Sequence, residues 1–368
     1  MSAEIVVHLI AAARPNFMKV APLYHELAKA DWCRPVLVHT GQHYDANMSD
    51  AFFEDLGMPK PDYHLGVGSG SHAEQTAGVM VAYEKILMET RPDWIVVVGD
   101  VNSTIACTLA AKKLCLNVAH LEAGLRSGDR TMPEEINRIV TDSIADVLWT
   151  PSEDGDGNLL REGVAPDRIV RVGNIMIDSY ELMRGRIERA GTRRALNLPA
   201  GGYGVVTLHR PSNVDRRETL SLLVDTLVGV ADSLPLAFAM HPRTRKNLEK
   251  FCLLERLTVS GRVVVTEPMS YIRFVSLVSE AKLVITDSGG IQEETTYLGI
   301  PCLTLRDTTE RPVTVTQGSN RLVRPDNLAE MVGKATAGDW PTGRKPDLWD
   351  GRAAERIAAD IRRRSVKA

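Results

Sequence analysis

Short apolar runs alternate along this chain with longer stretches whose apolar residues recur at helical spacing. In the first half the runs are Ile5–Ala12, Pro35–Thr40, Trp94–Val98, Asn117–Leu121, Val147–Thr150 and Ile169–Val172. Helical patterns such as Phe17–Lys29, Ala73–Glu89 and Thr104–Leu114 lie between them. Strands buried on both faces show no polar alternation, so this rhythm predicts a parallel sheet covered by helices on both sides. A helix ending near Ala190 is followed by the polar segment Gly191–Tyr203, the best interdomain linker. The rhythm then restarts with Val205–Leu208, Leu236–Met240, Val263–Thr266, Leu283–Thr286 and Cys302–Leu305. The predicted class is α/β, with two doubly wound Rossmann-like domains over residues 1–190 and 203–346. Arg352–Val366 reads as a closing helix that returns residues 352–368 to the first domain. Open α/β sheets bind ligands beyond their strand carboxyl ends, so an interdomain cleft is the expected place for a ligand.

Polar residues occupy those strand ends. After Leu283–Thr286 comes Asp287-Ser288-Gly289-Gly290-Ile291-Gln292-Glu293-Glu294. Unpaired N–H groups and the macrodipole make a helix start attractive to anions, and Ser-Gly-Gly lets a phosphate approach closely. Glu293 and Glu294 would repel phosphate but could accept from ribose hydroxyls, so the segment fits a nucleoside diphosphate. Its plain alternative is a strand-to-helix turn with a capping Ser. Arg14 and Lys19 flank the first such turn, and Asp100, Glu122, His209-Arg210 and His241 with Arg243 follow later strands. Asp100 could instead cap a helix starting near Ser103. Thr131-Met132-Pro133-Glu134 matches a capping box, a structural reading of Glu134. Glu122 has no such alternative, because Ala123-Gly124 follows it.

Composition narrows the classes. A length of 368 residues with 44% hydrophobic and 25% charged content suits two cored domains. A net charge of −3 argues against a general nucleic-acid or anionic-membrane binder. No apolar stretch reaches the ~20 residues of a membrane span. The run from Ile5 to Ala13 reads as a first strand rather than a signal-peptide core, since it carries His8 and lacks a basic leader. Cys33, Cys107, Cys115, Cys252 and Cys302 are scattered without metal-ligand spacing, which predicts reduced thiols, a cytoplasmic protein and no metal. Gly68-Ser69-Gly70-Ser71-His72-Ala73 fits the dinucleotide pattern G-x-G-x-x-A, but no convincing buried strand precedes it. A loop before a helix is expected there, and no NAD or other cofactor.

Taken together, these segments resemble the non-hydrolysing UDP-N-acetylglucosamine 2-epimerases over nearly the whole chain. The markers are Arg14-Pro15 with Lys19, Gly99-Asp100, His120-Leu121-Glu122-Ala123-Gly124-Leu125-Arg126, Pro133-Glu134-Glu135-Ile136-Asn137-Arg138, His209-Arg210, Asp287–Glu294, and Arg306-Asp307-Thr308-Thr309-Glu310-Arg311-Pro312. The resemblance implies a glycosyltransferase-B type fold, a homodimer, and a UDP-sugar in the interdomain cleft. It also implies interconversion of UDP-N-acetylglucosamine and UDP-N-acetylmannosamine by loss and re-addition of UDP. Asp100, Glu122 and Glu134 match the family's three acids, and His209 its histidine near the diphosphate. Arg14, Lys19, Arg138, His241, Ser288, Gly289, Gly290, Glu294 and Arg311 map to UDP-sugar contacts.

The chain also departs from the family. Many bacterial relatives are activated by a second UDP-N-acetylglucosamine, held by a Gln-His-Arg stretch and a downstream Arg. Here Gln42-His43-Tyr44-Asp45, Gly68-Ser69-Gly70-Ser71 and Pro211 stand instead, so no activation is expected. The alternatives are a hydrolysing 2-epimerase, an epimerase of a UDP-2,3-diacetamido sugar, a glycosyltransferase of the same fold, and a non-enzymatic UDP-sugar sensor.

Overall fold

The computed structural model describes residues 4–12, 14–41 and 56–366. The chain divides into two compact units, one of residues 1–182 with 347–368 and one of residues 183–346.

In the first unit the described strands are β1 (Ile5–Ala11), β2 (Cys33–His39), β3 (Tyr63–His64), β4 (Trp94–Val98), β5 (Val118–Leu121), β6 (Val147–Thr150) and β7 (Ile169–Arg171). They form one sheet in the order β3-β2-β1-β4-β5-β6-β7, with parallel pairing throughout. β4 and β6 are buried along their whole length, as their unbroken apolar runs require. The order reverses between β1 and β4, which creates the switch point beyond whose carboxyl edge doubly wound sheets bind ligands. β3 was not expected. It is a two-residue edge strand held by Val38↔Tyr63 and His39↔His64, too short to leave a periodic signal.

The helix Ala353–Ser365 belongs to this unit and packs along the helix Arg14–Ala28. Trp149 donates to Asp360 at 3.0 Å and Trp94 to the Ser365 hydroxyl at 3.0 Å. Asp178 accepts from the N–H groups of Ala353 and Ala354 at 3.1 and 2.8 Å, so a carboxylate from the helix Ile175–Arg189 caps the returning helix.

The second unit repeats the plan. Its strands are β8 (Gly204–Thr207), β9 (Leu236–Ala239), β10 (Val263–Thr266), β11 (Leu283–Thr286), β12 (Cys302–Leu305) and β13 (Asn320–Val323), in the parallel order β10-β9-β8-β11-β12-β13. One face of the sheet packs a core around Phe238, Leu223, Leu227 and Leu303, and the other a cluster with Tyr203, Val205 and Leu198. β13 is the second unexpected strand, because it opens on a polar residue. Asn320 is tolerated there since its amide is satisfied: it accepts from Thr304 at 2.7 Å and donates to Gln292 and Thr314 at 3.0 Å each. Two doubly wound Rossmann-like units in one chain give the glycosyltransferase-B type of architecture. Among the described residues, no helix is long and apolar enough to cross a membrane.

Candidate active site

In the first unit the chemistry collects where β4 and β5 end. Gly99 turns the chain after β4 with φ 68°, and Glu122 follows β5 with φ 71°. A left-handed conformation at a non-glycine residue costs about 1–3 kcal/mol and is kept where the surroundings over-determine it. Here Lys19, from the helix Arg14–Ala28, ion-pairs with Oε2 of Glu122, whose side chain is only 4% exposed. Oε1 of Glu122 is buried and has no hydrogen-bond partner among the described residues. Leaving such an acceptor unsatisfied costs about 1–3 kcal/mol, so this oxygen stays available for a ligand or a proton at some expense in stability. Gly99 lies against the pair. A Cβ there would stand 3.4 Å from Lys19 Nζ and 3.5 Å from Glu122 Oε2.

Asp100 is about a third exposed and ion-pairs with Arg138, which is buried and also bonds Glu135 at 2.8 Å. Its reading as a cap falls away, because the following helix, Asn102–Lys113, has Val101 at its N-cap and no side-chain cap. The expected capping box at Thr131 is also corrected. The helix Pro133–Ile144 has Met132 as N-cap without a capping bond, and the Thr131 hydroxyl is turned to Asp129 at 2.6 Å. Glu135 instead reaches back to the N–H groups of Ser127 and Gly128, both at 3.0 Å. Burial works to raise the Glu135 carboxyl, but these donors and Arg138 outweigh it and hold it below the usual range. Glu134 is exposed and is not drawn into either ion pair. The side chain of Arg14 and the segment Gln42–Asp45 lie outside the described residues.

Residues not singled out before complete this edge. Asn16 donates to the Val98 carbonyl at 3.1 Å, and Asn137 to the Asp100 carbonyl at 2.9 Å. Asn102 donates to Gln75 at 2.7 Å and lies 3.1 Å from His72 Nδ1. A signal for this face existed. Glu135, Arg138 and Asp142 recur at core-facing helical spacing, so their helix buries polar residues where apolar ones are usual. The Gly68–Ala73 loop leads into the helix His72–Thr90, where Ser71 and Glu74 form a reciprocal capping box.

The second unit gathers its polar groups around Asp287, which is fully buried at the end of β11. This carboxylate accepts from the His209 N–H at 3.1 Å, the Arg210 N–H at 2.9 Å and Asn213 Nδ2 at 3.0 Å, and it lies 2.8 Å from His209 Nδ1. Burial pushes Asp287 up, but His209, Asn213 and Arg210 outweigh it and hold the carboxyl below its ordinary range. His209 Nδ1 therefore donates to a carboxylate, which fixes the ring and leaves Nε2 for another partner. The His241 ring is centred 5.5 Å away. Its Nδ1 accepts from the Arg243 N–H at 3.1 Å, capping the helix Pro242–Lys250. Burial, followed by the charges of His209 and Arg243, lowers the His241 pKa.

Ser288 is the N-cap of the helix Gly289–Leu298, yet its hydroxyl makes no capping bond. Gly289 and Gly290 differ in what they permit. A Cβ at Gly289 would stand 2.7 Å from Arg311 Nη1, whereas one at Gly290 would meet nothing within 4 Å. Arg311 bonds Glu293 at 3.0 Å and Glu310 at 2.9 Å, and Arg306 bonds Glu310 at 2.7 Å. Of the two adjacent acids, Glu293 is tied to Arg311, while Glu294 is buried near Tyr271. Burial pushes Glu294 up to about 7, reinforced by Glu293 and opposed by Tyr271. Among the described residues no group of three His, Cys, Asp or Glu side chains is placed to hold a metal ion.

Residues 25–362 match the family model described as UDP-N-acetylglucosamine 2-epimerase. The UDP-N-acetylglucosamine 2-epimerase of Methanocaldococcus jannaschii is 42% identical over 331 residues, 88% of this chain and 89% of the relative. The UDP-2,3-diacetamido-2,3-dideoxy-D-glucuronate 2-epimerase of Pseudomonas aeruginosa is 40% identical over 317 residues, 85% of this chain and 87% of the relative. The crystal structure of the M. jannaschii enzyme in complex with UDP-GlcNAc and UDP superposes with a TM-score of 0.86 at 39% identity, covering 97% of this chain and 99% of that one. A family match over most of the chain, with polar strand ends arranged in this way, places it: the chain belongs to the UDP-N-acetylglucosamine 2-epimerase family.

Proposed function

We propose that this chain is an isomerase that interconverts UDP-N-acetylglucosamine and UDP-N-acetylmannosamine by inversion at C2, with UDP eliminated and then added back. The observation that carries this reading is Glu122, a buried carboxylate on strained backbone with one oxygen on Lys19 and the other unpartnered. The C2 hydrogen is not beside a carbonyl and resists direct removal. Cleavage of the anomeric C–O bond gives C1 oxocarbenium character, which makes that hydrogen more acidic. Removing it leaves a C1–C2 double bond and free UDP. Re-addition of UDP with protonation of the opposite face of C2 completes the inversion.

Two acid/base groups are needed, one for each face. Glu122 and Asp100 fill these roles, each oriented by one cation, Lys19 or Arg138. Glu134 is the third acid of the set. The second unit holds the nucleotide: the open start of the helix at Gly290 takes the diphosphate, with Ser288, Gly289, His241 and Arg311 in support. Glu294, with a carboxyl near 7, bonds the ribose hydroxyls. His209, anchored through Nδ1 to Asp287, has Nε2 left to donate to the oxygen on which charge develops as UDP departs. The enzyme works as a cytoplasmic homodimer on a nucleotide-sugar.

A proton-NMR time course with UDP-N-acetylglucosamine in heavy water tests this. The expected result is deuterium at C2 of sugars still attached to UDP. Free N-acetylmannosamine would mark a hydrolase, a requirement for an acceptor would mark a transferase, and no change would mark a sensor. The P. aeruginosa relative favours a second reading, a UDP-2,3-diacetamido-uronic acid as substrate. Faster C2 exchange with that sugar in a parallel run would establish it.

Regulation gives a further expectation. With no Arg near Ser69 and with Pro211 after His209-Arg210, the donors that the family resemblance implies for a second nucleotide-sugar are missing, and neither residue replaces a bidentate guanidinium. Pure UDP-N-acetylmannosamine should be epimerised without added UDP-N-acetylglucosamine, with a hyperbolic dependence on concentration. A lag abolished by a trace of UDP-N-acetylglucosamine would show that an activating site persists.

A further inference from the structure

His120 lies in the motif His120-Leu121-Glu122, is fully buried, and plays no part in the reaction as derived above. Both of its ring nitrogens face acceptors. Nε2 donates to the Gly99 carbonyl at 2.8 Å, and Nδ1 to Asp142 Oδ1 at 2.6 Å. Asp142, buried in the helix Pro133–Ile144, gives its second oxygen to the Gly124 N–H at 3.1 Å and to Arg126 Nη1 at 2.8 Å. Burial pushes the Asp142 carboxyl up, but His120 and Arg126 outweigh it and hold it below the usual range.

The connectivity places this pair between the two proposed acids. Gly99 immediately precedes Asp100, while His120 and Gly124 stand two residues to either side of Glu122. One imidazole and one carboxylate therefore pin the two turns that carry the acids, drawing on β4, β5 and the following helix. The seat is tight on the Glu122 side, because Gly124 has φ 80° and a Cβ there would collide with the Gly155 carbonyl. Stability alone is a poor reason for such a pair. Burying two hydrogen-bonding ionisable groups often gains nothing over well-packed apolar residues of similar volume. Geometry is the better reason, since proton transfer needs heavy atoms within about 2.6–3.2 Å and an error of about 1 Å can cost ~10²-fold in rate.

We propose that His120 and Asp142 are positioning residues that set the spacing and aim of Asp100 and Glu122 toward C2 without touching substrate. This rests on the reading of those two acids as the acid/base groups.

The test measures kcat, KM, deuterium incorporation at C2 and thermal midpoint in full-length His120→Phe, His120→Gln and Asp142→Asn, beside Asp100→Asn and Glu122→Gln. His120→Phe and Asp142→Asn should lose about 10²-fold in kcat and in C2 exchange, the cost of a small misplacement, with KM within about 3-fold of the parent. His120→Gln keeps a side-chain N–H for the Gly99 carbonyl and should recover about 10-fold over His120→Phe, a rescue that core filling alone would not give. If His120→Phe does not fold, the split between kcat and KM is read in the other two variants. Parent kcat in the three positioning variants, with only the thermal midpoint lowered, overturns the proposal while leaving the acids in place, provided Asp100→Asn and Glu122→Gln are inactive. A rise in KM matching the fall in kcat overturns it too. Parent turnover in both acid variants overturns the catalytic reading, and the positioning role with it.

Discussion

Glu122→Gln and Asp100→Asn are each expected to lower turnover by about 10²–10⁴-fold while the chain stays folded, the usual contribution of a positioned acid or base. Both substitutions keep size and shape and remove only the capacity to exchange a proton. Their side effects should differ, because their surroundings do. Glu122 is 4% exposed and holds Lys19, itself only 13% exposed, so neutralising it leaves a nearly buried ammonium facing an amide oxygen. Breaking a buried pair outright costs about 3–5 kcal/mol, and the remaining amide acceptor should keep the loss below that. Asp100 is about a third exposed, and Arg138 retains Glu135 when Asp100 is neutralised, so Asp100→Asn should hardly move the thermal midpoint. The expected pattern is two slow enzymes, of which only Glu122→Gln melts appreciably earlier. Steady-state turnover, deuterium entry at C2 and a melting curve for each variant check it. Turnover near the parent rate in both would remove these positions from the reaction.

The architecture was legible because the physics of a doubly covered parallel sheet writes itself as runs. Trp94–Val98, Val147–Thr150, Val263–Thr266, Leu283–Thr286 and Cys302–Leu305 are strands with the bounds their apolar stretches suggest. Two strands escaped for opposite reasons. β3 is too short for any pattern, and β13 opens on a buried asparagine whose acceptability depends on Thr304, Gln292 and Thr314. Candidate chemistry was visible as polar residues directly after apolar runs, but its pairing was not. Lys19 meets Glu122 across 103 residues, Arg138 meets Asp100 across 38, and the His209 N–H meets Asp287 across 78, and no local rule connects them. The adjacent acids Glu134 and Glu135 show where a local rule was underused. Helix phase puts Glu135 on the buried side with Arg138 and Asp142 and leaves Glu134 outward, so the capping role expected at Glu134 went to neither Thr131 nor its acid. Gly289 is a similar case. Its missing side chain makes room for Arg311 as much as for any ligand, a packing demand that a Gly-Gly pair does not disclose in sequence.

His209→Asn is expected to slow anomeric C–O cleavage and C2 exchange together, by about 10²–10³-fold, the typical cost of removing one preorganised donor from a developing charge. The choice of Asn follows from the geometry. His209 Nδ1 lies 2.8 Å from Asp287 Oδ1, and the amide of Asn can supply a donor on that side. The substitution therefore spares the anchored Asp287, with its bonds to the Arg210 N–H and Asn213, and deletes the reach of Nε2. Asp287 is fully buried, so a variant that abandoned it would lose stability as well as rate, and a near-parent melting curve would certify that only the Nε2 side has changed. UDP affinity should weaken less than turnover, because the bridging oxygen carries more charge in the transition state than in the ground state, and a donor aimed at it is felt most there. The elimination route also couples two measurements that a direct C2 proton abstraction would separate. If the hydrogen becomes acidic only as the C–O bond breaks, deuterium cannot enter C2 faster than UDP departs, and both rates must fall by the same factor in His209→Asn. Exchange at the parent rate in this variant, with cleavage slowed, would show that C2 loses its proton before UDP leaves and would remove His209 from the step that activates it.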